Sequence, residues 1–182
     1  MDTKSGSSKR GVRRLRPPDV VFVDYDNTLH RGDAYISAQG IMSSVPGVQL
    51  FEFAEILEHA LQPYPHVKLV ISSDWVRVLG FEKARNALPL PSLRERVIGS
   101  THSEDINRPA FSTLSRGEQI RRYVVGHKLK SWLAIDDRMD GFDPYPEQLV
   151  RCQAGVGLGD IDVQRRLAHR LYATFYVAWD WG

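Results

Sequence analysis

The 182-residue sequence lacks the features that mark secreted, fibrous or membrane proteins. Its one cysteine, Cys152, cannot form an internal disulfide, which is typical of a reducing compartment and favours a small buried side chain over a catalytic thiol. No apolar run approaches the roughly 20 residues that span a bilayer, and no apolar signal core stands near the N-terminus. Hydrophobic residues make up 42% and charged residues 25%, which excludes a disordered chain. We therefore expect a cytoplasmic globular protein.

Positive charge is concentrated at the N-terminus. Residues 1–18 hold six basic side chains against one acidic, a net of +5, which leaves 18 basic and 21 acidic side chains, or −3, for residues 19–182. The prolines at 17 and 18 end the basic stretch, so we predict a flexible arm over 1–18 and a single folded domain over 19–182. The arm is consistent with contact to a phosphate-rich partner and equally with a solubilising tail.

Short apolar runs alternate with helical patterns along the folded part. The run at 20–23 is continuously apolar, as expected of a strand that is buried on both faces. Four further strands are predicted at residues 67–71, 96–99, 132–135 and 148–152. Strands separated by helices imply right-handed crossovers. We therefore predict a three-layer α/β fold around a mostly parallel five-stranded sheet.

Four stretches show the patterns of helices. One has apolar residues at i, i+3, i+4, i+7 and i+11, namely Leu50, Phe53, Ala54, Leu57 and Leu61. A second helix is predicted around 75–87, and a third runs to Val125 from the capping-box pair Ser115 and Glu118. Asp162 is predicted to cap a terminal helix.

Polar side chains stand directly after the predicted strands, where α/β sheets bind ligands. These residues are Asp24, Asp26 and Thr28 after the first strand, Ser72 and Ser73 after the second, and Asp136 and Asp137 after the fourth. Arg116 begins the helix that leads into the fourth strand. Carboxylates, hydroxyls and one cation are thus expected to meet at one edge of the sheet.

So many carboxylates in one crevice require a cation. Two unit charges about 4 Å apart repel by roughly 4 kcal/mol at an effective dielectric near 20. Oxygen ligands without a neighbouring histidine or cysteine favour a hard ion, for which Mg²⁺ is the default. Thr28, Ser72 and Arg116 are suited to donate hydrogen bonds to a phosphoryl group. The residues therefore indicate Mg²⁺-dependent phosphoryl transfer or hydrolysis.

At this point the chain resembles the haloacid dehalogenase (HAD) superfamily. Residues 24–29, Asp-Tyr-Asp-Asn-Thr-Leu, are similar to its first motif, DxDx[TV], and Ser72 and Asp136-Asp137 match its second and fourth motifs. The third motif is normally a lysine, and Arg116 holds the matching position. Residues 72–75, 115–120 and 132–137 resemble the capless HAD domain of Swiss Army Knife RNA repair proteins, and residues 135–138 are similar to polynucleotide 3′-phosphatases.

The resemblance implies a role for each site residue. Asp24 would be the nucleophile that forms an aspartyl-phosphate, and Asp26 would be the general acid and base. Mg²⁺ would be held by Asp24, Asp136 or Asp137 and the backbone carbonyl of Asp26. The phosphoryl group would be bound by Ser72 and Arg116, with Thr28 and Ser73 beside it and Thr28 supporting the loop.

The spacing between motifs leaves little room for a cap domain. Residues 30–47 suffice for a flap only, so we expect an open crevice that suits a large phosphorylated substrate such as an RNA or DNA end or a phosphoprotein. The resulting hypothesis is a HAD-like phosphatase. One alternative is a non-catalytic module that binds RNA or a protein partner, and another is a phosphotransferase.

Overall fold

The computed structural model describes residues 16–102 and 113–176, and within these ranges a parallel sheet forms the centre of the molecule. The strands are Val20–Val23 (β1), Ala34–Ser37 (β2), Gly40–Ser43 (β3), Lys68–Ile71 (β4), Val97–Ser100 (β5), Trp132–Asp136 (β6) and Leu149–Arg151 (β7). Five of them form the sheet in the order β5-β4-β1-β6-β7, and every neighbouring pair is parallel. The predicted α/β class and five-stranded parallel sheet are confirmed.

Helices cover both faces of the sheet. They are Ala54–Leu61 (α1), Asp74–Leu79 (α2), Phe81–Ala87 (α3), Pro91–Arg96 (α4), Arg116–Gly126 (α5) and Ile161–Leu171 (α6). Successive residues of β1 point to opposite faces, so Val21 and Val23 join a core with α1 to α4 and α6, whereas Val20 and Phe22 join a core with α5. This double burial is why β1 is apolar throughout, and it gives the three predicted layers.

The helices differ from the sequence prediction in three ways. The helix predicted over 75–87 is two helices, α2 and α3, because Gly80 between them has φ of +83°, a conformation that ends a helix. Helix α1 begins only at Ala54, since Phe51 also lies in the left-handed region. Helix α4, with Pro91 in its first turn, was not predicted.

The N-cap residue predicted for the terminal helix was wrong by two positions. The N-cap of α6 is Asp160, whose carboxylate accepts a hydrogen bond from the backbone N–H of Asp162 at 2.8 Å. Both residues are acidic and both stand before the apolar stripe, so the sequence pattern fits either of them.

Between β1 and α1 the only regular structure is a small hairpin, β2–β3, as expected for a flap rather than a cap domain. Residues 103–112 lie outside the described residues, as does most of the predicted arm, namely residues 1–15. Among the helices that the structure describes, none has the length and apolar character needed to cross a membrane.

Candidate active site

The register of the sheet brings three polar residues into one row. Val23 of β1 pairs with Ile135 of β6 on one side and with Ile71 of β4 on the other. The next residue of each strand is therefore a neighbour of Asp24. The Asp24 backbone N–H donates to the Ile135 carbonyl at 3.1 Å, and the Ser72 N–H donates to the Val23 carbonyl at 2.9 Å.

Three carboxylates meet at this edge. Asp24, Asp136 and Asp137 each offer one oxygen, and these oxygens lie within 4.8 Å of one another. Asp24 and Asp136 are buried, and Asp137 is half-buried. The expectation that the ends of β1 and β6 share an acidic pocket is thus met by the geometry.

Arg116 is buried against two of these carboxylates. Its Nη2 lies 3.5 Å from Asp24 Oδ2, and its Nε lies 3.1 Å from Asp136 Oδ2. Burial opposes the positive charge, but Asp24 and Asp136 outweigh it and hold the pKa of the guanidinium above its usual value. Three carboxylates and one guanidinium leave the pocket with a formal charge of −2.

The pKa values of all three acids are raised, mainly by burial. Burial raises the pKa of Asp24 from 3.8 to about 6, although the charge of Arg116 and the neighbouring Ser73 side chain lower it. Burial, followed by the charge of Asp24, raises the pKa of Asp136 well above its usual range. The pKa of Asp137 is also raised by burial. A cation in the pocket would favour the ionised form of all three acids.

The loop after β6 fixes the direction in which Arg116 points. Helix α5 begins with the predicted capping box, in which Ser115 and Glu118 each bond the backbone of the other. The Arg116 backbone N–H also donates to Asp140 Oδ2 at 2.9 Å. Gly117 packs against Gly141 so closely that a Cβ would lie 2.2 Å from the Gly141 carbonyl oxygen. The start of α5 is therefore held against the loop that carries Asp136 and Asp137.

The side chain of Asp26 lies outside this carboxylate cluster. Its Oδ1 accepts hydrogen bonds from the Trp75 indole N–H at 3.0 Å and from the Ala34 backbone N–H at 3.0 Å. His30 Nε2 lies 3.1 Å from the same oxygen. Asp26 is thus held by α2, by the hairpin and by the turn between β1 and β2, and its carboxylate remains partly exposed.

The predicted hydroxyl residues take different places. Ser72 is fully buried, and its Oγ has no hydrogen-bond partner among the described residues. Ser73 is the N-cap residue of α2 but makes no capping bond with its side chain, which lies beside Asp24. Thr28 is tied to the turn after β7, since its carbonyl accepts from the Leu158 N–H and its hydroxyl lies beside the Cys152 thiol. The Ser73 side chain therefore lies beside Asp24, Ser72 is the neighbour of Asp24 in the sheet, and Thr28 lies in the adjoining loop.

Three residues of the site were not singled out from sequence as partners of the predicted ones. Trp75 and His30 hold Asp26, and Asp140 holds the start of α5. An Asp-Gly pair at 140–141 signals a turn, but nothing in the sequence says that the turn lies on another helix. Trp75 stands 49 positions from Asp26, and their contact depends on how α2 packs against the turn after β1. His30 stands four positions after Asp26, so its contact is local to that turn.

The donor set of the pocket fits a hard divalent cation. Its ligand atoms are carboxylate oxygens, and neither histidine nor cysteine belongs to the cluster within the described part of the chain. Mg²⁺ binds through one or two carboxylates together with water and phosphate oxygens. The formal charge of −2 and the unpaired Ser72 hydroxyl are the complements of such an ion and of a phosphoryl group.

Comparison with known proteins gives one family. A family model described as the HAD domain in Swiss Army Knife RNA repair proteins matches residues 20–163. This range begins at β1 and includes every residue of the pocket. No curated protein and no solved structure matches the chain.

Proposed function

Because this chain belongs to the family of HAD domains found in Swiss Army Knife RNA repair proteins, we propose that it is a Mg²⁺-dependent phosphatase that removes the terminal phosphate of a nucleic-acid end. The observation that carries this proposal is the convergence of Asp24, Asp136 and Asp137 with the buried Arg116 at one sheet edge. Burial of three carboxylates around a single guanidinium is costly, and a bound cation together with a phosphoryl group would supply the missing partners of these charges.

The reaction proceeds in two steps. An Asp24 carboxylate oxygen bonds to phosphorus while the bond from phosphorus to the leaving alcohol breaks, and Asp26 gives its proton to that alcohol. Asp26 then takes a proton from water as the water attacks the aspartyl-phosphate. Inorganic phosphate leaves and the Asp24 carboxylate is restored. The exposed side of Asp26 suits this exchange of protons, since one oxygen is held and the carboxylate still reaches solvent.

The remaining residues bind the transferred group. The hydroxyls of Ser72 and Ser73 donate hydrogen bonds to the phosphoryl oxygens, and Arg116 stabilises the negative charge that develops on them. Thr28 supports the adjoining loop. Asp24, Asp136, Asp137 and the backbone carbonyl of Asp26 would hold Mg²⁺. When bound, the ion neutralises phosphoryl oxygens and keeps Asp24 ionised.

The absence of a cap domain after β1 supports a macromolecular substrate. Between β1 and α1 the chain forms only the hairpin β2–β3, so no inserted domain covers the sheet edge from that segment. The family name connects the domain with RNA repair. We propose residues 19–182 as the hydrolase domain and the basic arm over 1–18 as a contact to the nucleic-acid backbone.

The test is phosphate release from p-nitrophenyl phosphate and from 3′-phosphorylated RNA and DNA oligonucleotides. We expect turnover that requires Mg²⁺ and stops when EDTA removes it. Absence of Mg²⁺-dependent turnover on this panel would contradict the proposal. If the protein still bound the oligonucleotides, that result would favour the non-catalytic binding module.

Trp75→Phe should slow hydrolysis in a manner that depends on the leaving group. Phenylalanine keeps the ring packing against Tyr25 and Phe51 but removes the N–H that donates to Asp26. When a general acid is misplaced, the rate falls most for substrates with poor leaving groups, because these depend most on protonation. We expect kcat/KM for glycerol 2-phosphate to fall about tenfold and kcat/KM for p-nitrophenyl phosphate to fall less than about twofold.

The control for this variant is Trp132→Phe. Trp132 packs edge-on against Phe22 in the other core and does not touch Asp26. It should lower both rates equally or not at all. An equal loss on both substrates in Trp75→Phe would show that Trp75 has a structural role only.

A further inference from the structure

A cleft of about 400 Å³ lies next to the proposed general acid. One wall is the hairpin β2–β3, and the other wall is helix α2. The lining residues are Ala34, Tyr35, Ile36 and Ile41 from the hairpin, Trp75, Val78 and Leu79 from α2, and the polar residues Asp26, Asp74 and Arg77. The volume lies within the range of small-molecule sites, about 300–1,000 Å³.

The position of Asp26 decides which part of a substrate would occupy the cleft. Asp26 lines the cleft, and its carboxylate would protonate the leaving oxygen. The group attached to that oxygen must therefore extend away from Asp24 on the side of Asp26. The cleft is lined by Asp26 and not by Asp24, so it lies on that side and offers a place for the leaving group.

The walls of the cleft favour an occupant with an apolar surface. Ile36 and Ile41 face each other across the hairpin pair, and Val78 stands opposite on α2. Ile36 is 60% exposed and Val78 is 55% exposed, so both apolar side chains are accessible to a ligand in the cleft. At the rim Asp74 and Arg77 form an ion pair at 3.3 Å, and both side chains remain exposed.

We propose that this cleft binds the base of the terminal nucleotide that carries the phosphate. The proposal rests on the phosphatase function above and adds a subsite to it. A nucleobase offers a flat ring to the apolar walls, as in base recognition by side-chain stacking and apolar contact. Its polar edge matches the carboxylate of Asp74 and the guanidinium of Arg77 at the rim.

A phosphotyrosine ring is the other flat group to consider. Its ring has no hydrogen-bonding edge for the polar rim at Asp74 and Arg77. Its phenol is also a good leaving group, which would make little use of an acid held as firmly as Asp26 is. The features of the cleft therefore favour a base.

The experiment compares two RNA oligonucleotides with the same 3′-phosphate. In one the last nucleotide carries adenine, and in the other it is abasic, so the leaving alcohol is the same. We expect the intact oligonucleotide to have a kcat/KM about tenfold higher. Ile36→Ser and Val78→Ser should each lower kcat/KM for the intact oligonucleotide about fivefold to tenfold and leave the abasic one unchanged within about twofold.

Two matched variants serve as controls. Ile161→Ser changes an isoleucine of 56% exposure and Val125→Ser a valine of 65% exposure, and neither residue lines the cleft. They should leave both rates unchanged, which separates loss of the subsite from loss of stability.

The possible results distinguish the subsite from the function. Equal rates on the two oligonucleotides, with p-nitrophenyl phosphate still hydrolysed, would overturn the subsite alone. A higher rate on a phosphotyrosine peptide, lowered by the same two variants, would overturn the assignment to a base. No turnover of any ester would overturn the proposed function and the subsite with it.

Discussion

Asp24→Asn should lose at least about 10⁴-fold in kcat while the protein stays folded. The amide cannot attack phosphorus, and it cannot form the aspartyl-phosphate. The geometry around it is retained, because the Tyr25 N–H donates at 2.8 Å to Asp24 Oδ1, which becomes the amide oxygen. Rates measured with p-nitrophenyl phosphate at saturating Mg²⁺ would give the loss directly.

The same substitution should stabilise the metal-free protein at neutral pH. Burial raises the pKa of Asp24 from 3.8 to about 6, so ionisation of this group is harder in the folded protein than in the unfolded chain. The protonated Asp24 carboxyl therefore stabilises the fold fully below about pH 4. This stabilisation is lost as the pH rises to about 6, which lowers the free energy of unfolding by up to about 3 kcal/mol. Asparagine has no charge and removes this loss.

Thermal unfolding in EDTA checks this second expectation. Asp24→Asn should unfold several degrees higher than the wild type at pH 7.5, and the difference should vanish near pH 4. The exposed Asp143 offers the control substitution, Asp143→Asn, which should change neither the activity nor the pH profile of stability. Residual turnover above about 1% of the wild-type rate would contradict the role of Asp24 as nucleophile.

Arg116→Met should have the second large effect, on stability and catalysis together. Methionine fills the space but leaves Asp24 and Asp136 buried without their cation. Removal of one partner from a buried ion pair costs about 3–5 kcal/mol. We expect a similar loss in the free energy of unfolding at pH 7.5 and a fall in kcat of about 10³-fold, since the phosphoryl charge loses a donor.

Arg116→Lys separates charge from shape. The two contacts of Arg116 come from different nitrogens, Nη2 and Nε, and one ammonium group must serve both carboxylates in their place. We expect this variant to fold and to retain part of the activity. The control on the same helix is Arg121→Met, because Arg121 is exposed. Wild-type stability and activity in Arg116→Met would contradict the proposed role of the guanidinium.

The pocket was predictable because it follows from one rule about parallel sheets. Apolar runs locate the strands, and the residue after each run lies at the carboxyl edge. Asp24, Ser72 and Asp136 stand in that position, and the register of β1 with its neighbours places them side by side. The capping-box pattern of Ser115 and Glu118 placed Arg116 at the start of α5, and the structure contains both hydrogen bonds of this capping box.

The parts that escaped prediction depend on backbone conformation and on packing. The positive φ of Gly80 divides a continuous helical pattern, and glycine is tolerated inside many helices, so its presence alone does not announce a break. The contact of Trp75 with Asp26 joins segments 49 positions apart. No local sequence pattern indicates such a contact. The roles assigned to the site residues remain predictions until the variants are measured.

The shared oxygen of Asp26 has a geometric consequence for selectivity. Ala34 belongs to one wall of the cleft and Trp75 to the other, and both donate to Asp26 Oδ1. The gap between the walls is therefore set by the lengths of two hydrogen bonds as well as by apolar packing. In the proposed mechanism, a ligand wider than this gap must lengthen one of the two hydrogen bonds before it can enter, and so displaces the carboxylate that would protonate its leaving oxygen. The width of the cleft and the position of the proposed general acid are therefore coupled.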